Sequence, residues 1–223
     1  QSLVEEGQRE DLPPRPYVKD IAKYVMVPGN ARPRHPIVEE RTRRLTAYAE
    51  TTDLNREELG EDTSLGIITS STCYQYAREV FGEKASILKL GLVNPLPRQK
   101  ILDFAAKVDR LLVLEELDPV IEEHCRNLGL TVQGKDALPL IGEFSQGLVA
   151  EKLGKTPKPW VALDEAVPPR PPVLRAGCPH RGLFYTLAKH KVTVLGDIGC
   201  YTLAAYEPLY AIETCECMGA SVS

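Results

Sequence analysis

The sequence predicts an open α/β fold built on a parallel sheet, and three observations carry that expectation. Between Thr63 and Lys152, short apolar runs alternate three times with segments of helical spacing. Each run is too short for a helix buried all round, yet apolar enough for a strand covered on both faces, the pattern of parallel strands with helical crossovers. A proline-rich stretch then interrupts the chain, and beyond it the same alternation restarts.

Taken in order, the opening QSLVEEGQREDLPPRPYVKD is polar, proline-rich and without periodicity, and reads as a linker leaving an upstream domain. HPIVEERTRRLTAY sets Ile37, Arg41, Arg44, Leu45 and Tyr48 at helical spacing, with Pro36 placed to open the helix, so one amphipathic helix is expected from His35 to Tyr48. LGIITS (65–70) is the first strand and TCYQYAREVF its helix. ASILKLG (85–91) is the second, followed by PLPRQKILDFAAKV, whose helix Pro97 can start. DRLLVLEE (109–116) is the third, followed by DPVIEEHCRNLG, a helix that Gly129 can end. GKTPKPWVALDEAVPPRPPVL carries six prolines between positions 157 and 172 and reads as a stiff linker. GLFYTLAKH is then a helix, and KVTVLGDIGC a strand running into a turn.

These elements divide the chain into a linker and helix (1–61), an α/β domain (62–153), a proline-rich linker (154–173) and the incomplete start of a second α/β domain (174–223). At 223 residues, 43% hydrophobic and 26% charged, the composition is that of an ordinary globular protein. A net charge of −4 argues against nucleic acid as a partner, since phosphate binding needs a positive surplus on some face. The cluster Arg41, Arg43 and Arg44 follows Glu39 and Glu40 on one helix and reads as a solvated face rather than a phosphate site. No apolar run reaches the ~18 residues of a membrane span, and no secretory pattern opens the chain, so a cytoplasmic protein without membrane contacts is expected.

Six cysteines without a secretory context do not read as a disulfide scaffold, and four of them lie at or beyond position 178. Cys73 and Cys125 fall in expected helices and read as packed core thiols. The densest site chemistry is RAGCPHRG (175–182), GDIGC (196–200) and TCECMGAS (214–221). Glycines beside Cys, His and Asp there suit close approach of a cofactor at the ends of α/β strands, and equally suit plain turns with buried thiols. His180 can meet a diphosphate or cap the helix that follows it. Cys178, Cys200, Cys215 and Cys217 supply thiolates for an iron–sulfur site, without the usual CxxC spacing. His35, His124 and His190 lie in charged, exposed contexts and receive no role. Adjacent Glu115 and Glu116 cannot form a facing acid/base couple on a regular strand. No turn carries a dinucleotide or Walker glycine loop.

AGCPHRGLFYTL, GDIGCYTL and TCECMGAS are similar to the start of the thiamine-diphosphate domain in large subunits of the indolepyruvate ferredoxin oxidoreductase family. KYVMVPGNARPRHPIVEER and LLVLEELDPVIEE resemble that family's linker and its domain of transketolase C-terminal type. The resemblance implies oxidative decarboxylation of an aryl 2-oxoacid to an acyl-coenzyme A, with ferredoxin as electron acceptor, thiamine diphosphate, Mg²⁺ and iron–sulfur clusters as cofactors, and a smaller β subunit as partner. It implies that Gly177, Cys178, His180, Asp197, Gly199, Cys200 and Gly219 lie at the cofactor, with Cys178 and Cys200 as metal ligands. Arg175 stands where the family motif has a further cysteine, and a guanidinium donates no thiolate, so the implied cluster lacks one ligand here. On this resemblance the chain is an internal piece of the subunit and inactive alone. The alternative is a non-catalytic α/β module for subunit contact or coenzyme A binding.

Overall fold

A computed structural model of the chain describes residues 13–159, 166, 168–169 and 171–219. Most of the expected opening linker and part of the proline-rich linker lie outside those residues. The chain divides into two compact units, Gln1–Trp160 and Val161–Ser223.

The first unit opens with a single helical turn, α1 (Ile21–Tyr24), capped by Asp20 through the amide of Lys23 at 3.0 Å. Helix α2 then runs from Pro28 to Thr51, which corrects the expected start at Pro36. Pro28 occupies the first turn, where no amide is needed, while Pro33 and Pro36 lie inside the helix. The carbonyls they leave without an intrahelical donor belong to Gly29 and Arg32, both exposed, so water can take the missing donors' place. The expected apolar stripe is present in spacing and absent in burial: Ile37 is 66% exposed and Tyr48 51%, and of the helix only Ala49 is buried.

The sheet has four strands in the order β1 (Arg56–Glu58), β3 (Ala85–Leu90), β2 (Asp62–Ser70), β4 (Leu111–Leu114). β2 pairs in parallel with both β3 and β4, whereas β1 runs antiparallel to β3. The three expected strands are therefore joined by a fourth, a charged Arg-Glu-Glu edge segment with no apolar alternation to reveal it. The expected strand 109–116 pairs with β2 only from Leu111 to Leu114, because Glu115 turns away to cap the next helix.

Residues alternate between the two faces of the sheet with period two. Ile67, Ile87, Leu112 and Leu114 face one core, with Cys73 and Ala77 of α3 (Cys73–Phe81) and Val149 of α6 (Gln146–Lys152). Ile68, Leu88, Leu90 and Val113 face the other, under Ile101 and Phe104 of α4 (Arg98–Ala105) and Ile121 and Cys125 of α5 (Val120–Asn127). Each fully buried aliphatic or aromatic side chain contributes about 1.5–3 kcal/mol relative to exposure. Gly66 of β2 leaves no room for a Cβ, which would meet Val108 Cγ2 at 2.7 Å.

α4 and α5 both begin directly after a proline that caps no amide. Their orphan amides are taken instead by carboxylates from elsewhere. Glu50 of α2 accepts from Gln99 and Lys100 at 3.0 and 2.9 Å, and Glu115 accepts from Ile121 and Glu122, both at 2.9 Å. Asn55, fully buried, ties α2 to the sheet: its side chain donates to Ala49 O at 2.9 Å and accepts from the amides of Gly91 and Leu92 at 2.9 and 2.8 Å.

His124, expected to be exposed, is half-buried, and its Nε2 is enclosed with no hydrogen-bond partner among the described residues. The amphipathic turn of α5 rolls it toward α4, where burial first and the Arg98 guanidinium second hold its pKa below 6.5.

The second unit holds α7 (His180–His190), a 3₁₀ helix (Cys200–Ala205) and two parallel two-residue strands, β5 (Leu195–Gly196) and β6 (Thr214–Cys215). The strand expected across 191–200 is thus confined to Leu195–Gly196, because β6 offers it only two residues to pair with. Phe184, Ala204 and Ala211 form the buried core of this unit. Among the described residues no helix is long and apolar enough to cross a membrane.

Two outcomes follow for stability. Asn55→Ala removes the buried donor to Ala49 O and the acceptor shared by the Gly91 and Leu92 amides, and should cost roughly 1–3 kcal/mol in chemical denaturation, against less than 1 kcal/mol for an exposed Asn→Ala control. For His124, the unfolded chain takes up a proton before the folded one does. The His124 contribution to stability is therefore constant above the ordinary value of 6.5 and falls as pH drops below it. His124→Gln should abolish that acid-side slope; an unchanged slope in the variant would remove His124 as its cause.

Candidate functional site

The second unit's site is built on two turns that bracket α7 and the 3₁₀ helix. Arg175 to Cys178 form a β-turn closed by Cys178 N–H donating to Arg175 O at 3.1 Å, with Gly177 at φ +79°. That positive φ at the third position is the reason for glycine there. The Arg181 guanidinium reaches back to the carbonyls of Leu174 and Arg175, both at 3.5 Å, and holds the turn against the helix. Cys178 thus sits immediately before α7, its Sγ 3.5 Å from His180 Nδ1.

The second turn, Gly196 to Cys200, is organised by Thr202 and Tyr201. Thr202 Oγ1 donates to Asp197 O at 2.9 Å and accepts from Gly199 N–H at 3.0 Å. Tyr201 OH accepts from Asp197 N–H at 2.9 Å, while its ring stacks on Phe184 with centroids 5.6 Å apart and meets His180 at 5.8 Å. Asp197 Oδ2 accepts from Gly219 N–H at 3.0 Å. Gly199 is fully extended at φ −176°, and a Cβ there would meet Tyr201 only at an ordinary 3.7 Å. The expected conformational demand for glycine therefore holds at Gly177 and Gly219, both at positive φ, and not at Gly199.

The named residues accordingly form two groups. Gly177, Cys178, His180 and Cys200 line one cleft of about 760 Å³, with Arg175 at its polar side and Leu203 among its apolar walls. Asp197, Gly199 and Gly219 are not in that cleft; they belong to the second turn, held by Tyr201 and Thr202 and by the Gly219 amide. Tyr201 bridges the groups, and sequence reading passed it over because an aromatic beside a cysteine looks the same whether it packs a core or orders a site. Cys215 lies 3.8 Å from Thr202 Oγ1, and Cys217 is exposed.

Chemically the cleft offers two thiols, an imidazole and a guanidinium. Soft donors of this kind suit a thiophilic metal, yet among the described residues no three His, Cys, Asp or Glu side chains are grouped closely enough to hold one. The set as placed therefore does not complete a four-thiolate cluster. Nor does it complete a Mg²⁺ site, for which several oxygen ligands are needed, because no carboxylate lines the cleft among the described residues. What it does provide is the Arg175 guanidinium beside a glycine turn free of side-chain bulk.

In the first unit, Glu115 and Glu116 do share a crevice of about 330 Å³ at the carboxyl ends of β2 and β4. Both are occupied structurally: Glu115 caps α5, and Glu116 accepts from Phe144 N–H. Burial raises the pKa of Glu115 against the opposing pull of those amides. Cys73 and Cys125 are buried, and desolvation pushes their thiols up to about 11 and about 12.

Across most of its length the chain is similar to curated proteins named indolepyruvate oxidoreductase subunit IorA. It is 33% identical to that of Thermococcus kodakarensis over 92% of this chain and 36% of the relative. The values are 36% over 89% and 35% for Archaeoglobus fulgidus, and 32% over 99% and 40% for Methanothermobacter thermautotrophicus. These matches establish the family resemblance drawn from the motifs, and the chain spans between a third and two-fifths of the length of those relatives. No protein-family profile and no solved structure matches it.

Thiol accessibility provides a direct check on this geometry. At pH 8, Cys73 is about one part in a thousand thiolate given a pKa of about 11, and Cys125 less. Iodoacetamide followed by mass spectrometry should label Cys178, Cys200 and Cys217 at least ten times faster than Cys73 and Cys125. Equal rates would show that the first unit opens readily or that the cleft is closed.

Proposed function

We propose that this chain, a relative of the IorA subunits of indolepyruvate oxidoreductase over about nine-tenths of its length, serves as part of a 2-oxoacid oxidoreductase. The observation that carries the reading is that residues singled out by the family motifs, Gly177, Cys178, His180 and Cys200, converge on one cleft. In the fuller form of the proposal the substrate is an aryl 2-oxoacid, the acceptor is ferredoxin, coenzyme A takes the acyl group, and a smaller β subunit and a cytoplasmic setting complete the assembly. Thiamine diphosphate, when bound with Mg²⁺, would supply the chemistry of decarboxylation. The chain's own part is positional: Arg175 and His180 face the anionic portion, the Gly177 turn allows close approach, and Tyr201 fixes the second turn against His180. The Mg²⁺ ligands would have to come from other groups, so catalysis is expected to need more than this chain.

The second reading, a non-catalytic α/β module for subunit contact or coenzyme A, is favoured by the first unit's two cores, which are complete without the cleft. The measurement that separates them is indolepyruvate-dependent, coenzyme A-dependent reduction of ferredoxin by the assembly containing this chain and the smaller subunit, under anaerobic conditions. Activity that falls at least ten-fold in Cys200→Ser or His180→Ala, with folding preserved by circular dichroism, is the expected result. Full activity in both variants would leave the module reading. In parallel, calorimetric titration of the chain with thiamine diphosphate and Mg²⁺ tests whether this cleft alone holds the cofactor.

A further inference from the structure

The first unit carries a second cavity, at the end of the sheet opposite the Glu115–Glu116 crevice, that neither reading above uses. It measures about 430 Å³ and lies where β2 and β3 begin, lined by Asp62, Ser64 and Leu65 from β2, Arg110 just before β4, and Lys152 and Lys155 around the end of α6. That size is in the range of small-molecule sites. Its lining is mostly polar, with an apolar strip from Leu65, Phe81 and Leu153.

Its rim is cationic. Three cations, Arg110, Lys152 and Lys155, converge on a pocket holding one carboxylate, Asp62, a surplus of two positive charges in a chain whose net charge is −4. Among the described residues none of the three cations is in an ion pair, although neighbouring Lys84 and Lys158 each are. Asp62 accepts from Ser64 N and Oγ at 3.0 and 2.6 Å, which chiefly lowers its pKa, with smaller contributions from the Lys155 and Arg110 charges, so it offsets one of the three cations and two remain. Lys155 Nζ lies 4.8 Å over the Phe81 ring, which fixes a cation at the junction between the polar rim and the apolar strip.

We propose that this cavity binds a small organic phosphate, its phosphate held by Arg110, Lys152 and Lys155 and its ring or hydrocarbon body lying on Leu65, Phe81 and Leu153. A phosphate monoester carries nearly two negative charges at neutral pH and matches the local surplus of two, whereas a carboxylate neutralises only half of it. Arg110 supplies the planar fork suited to phosphate oxygens, and the lysines supply mobile point charges. A nucleic acid strand is disfavoured, because the chain as a whole is acidic, with a net charge of −4.

The test uses the 223-residue chain in low-salt Tris buffer, titrated calorimetrically with inorganic phosphate, AMP, adenosine and coenzyme A. Expected are saturable AMP binding at least ten-fold tighter than phosphate, no detectable adenosine binding, and about a ten-fold loss of AMP affinity in both Arg110→Gln and Lys155→Gln. Lys84→Gln, whose side chain pairs with Glu61 outside the cavity, should leave AMP affinity unchanged. Circular dichroism melting of each exposed-site variant confirms that the fold is retained. Coenzyme A binding tighter than AMP names the acyl carrier as the source of the phosphate; AMP equal or tighter names a mononucleotide. Failure of AMP to saturate, AMP no tighter than phosphate, or AMP affinity unaffected by Arg110→Gln and Lys155→Gln would overturn the proposal. None of these results depends on ferredoxin reduction, so the proposal and the oxidoreductase reading stand or fall separately.

Discussion

The first unit depends on a single constraint, that β2 is buried on both faces. Ile67 and Ile68 point in opposite directions and neither has any exposure, so the sheet cannot be satisfied by one layer of helices. A parallel strand in that position needs crossovers on each side, and α3 with α6 on one face and α4 with α5 on the other supply them. The strand order follows: the path leaves β2 for β3 on one side and must cross over to reach β4 on the other. Each end of β2 consequently opens into a cavity. The crevice at its carboxyl end holds Glu115, which caps α5, and Glu116, which accepts from Phe144 N–H; at its amino end, Arg110, Lys152 and Lys155 make no ion pair among the described residues.

Long-range polar contacts then fix what burial alone leaves loose. Prolines start α4 and α5 where no side chain caps the first amides, and Glu50 and Glu115 reach in from other elements to take them. Because each carboxylate belongs to a different element, capping doubles as docking. Glu50 thereby fastens the end of an otherwise exposed α2 to α4, while the buried Asn55 ties it to the residues that follow β3. Glu122, only 2% exposed, is held between Arg126 at 2.6 Å and the amide of Lys135 at 2.8 Å, a pairing that is costly to break from one side.

The second unit rests on less burial and more local geometry. With Phe184, Ala204 and Ala211 as its buried core, the order of its turns comes from hydrogen bonds at Asp197 and from the stacking of Tyr201 on Phe184. Such a site is positioned by a few specific contacts, so the cleft residues and their supports are close neighbours in sequence as well as in space. That is why motif reading could name Cys178, His180 and Cys200 without a structure.

By itself the sequence determined the fold class, the three parallel strands with their helices, and the buried state of Cys73 and Cys125, because apolar periodicity is a local property and burial of both faces of a strand leaves a continuous apolar run. It also singled out the residues of the cleft. Only the tertiary structure decided the antiparallel β1, whose pairing is made by backbone groups and leaves no side-chain pattern. The same holds for the start of α2, where exposure rather than propensity makes two internal prolines tolerable. It holds again for His124, whose enclosure depends on how α5 rolls against α4. Which named residues share one cleft, and which are separated by Tyr201, was likewise settled in three dimensions, since adjacency across turns depends on distances that spacing in a chain does not encode.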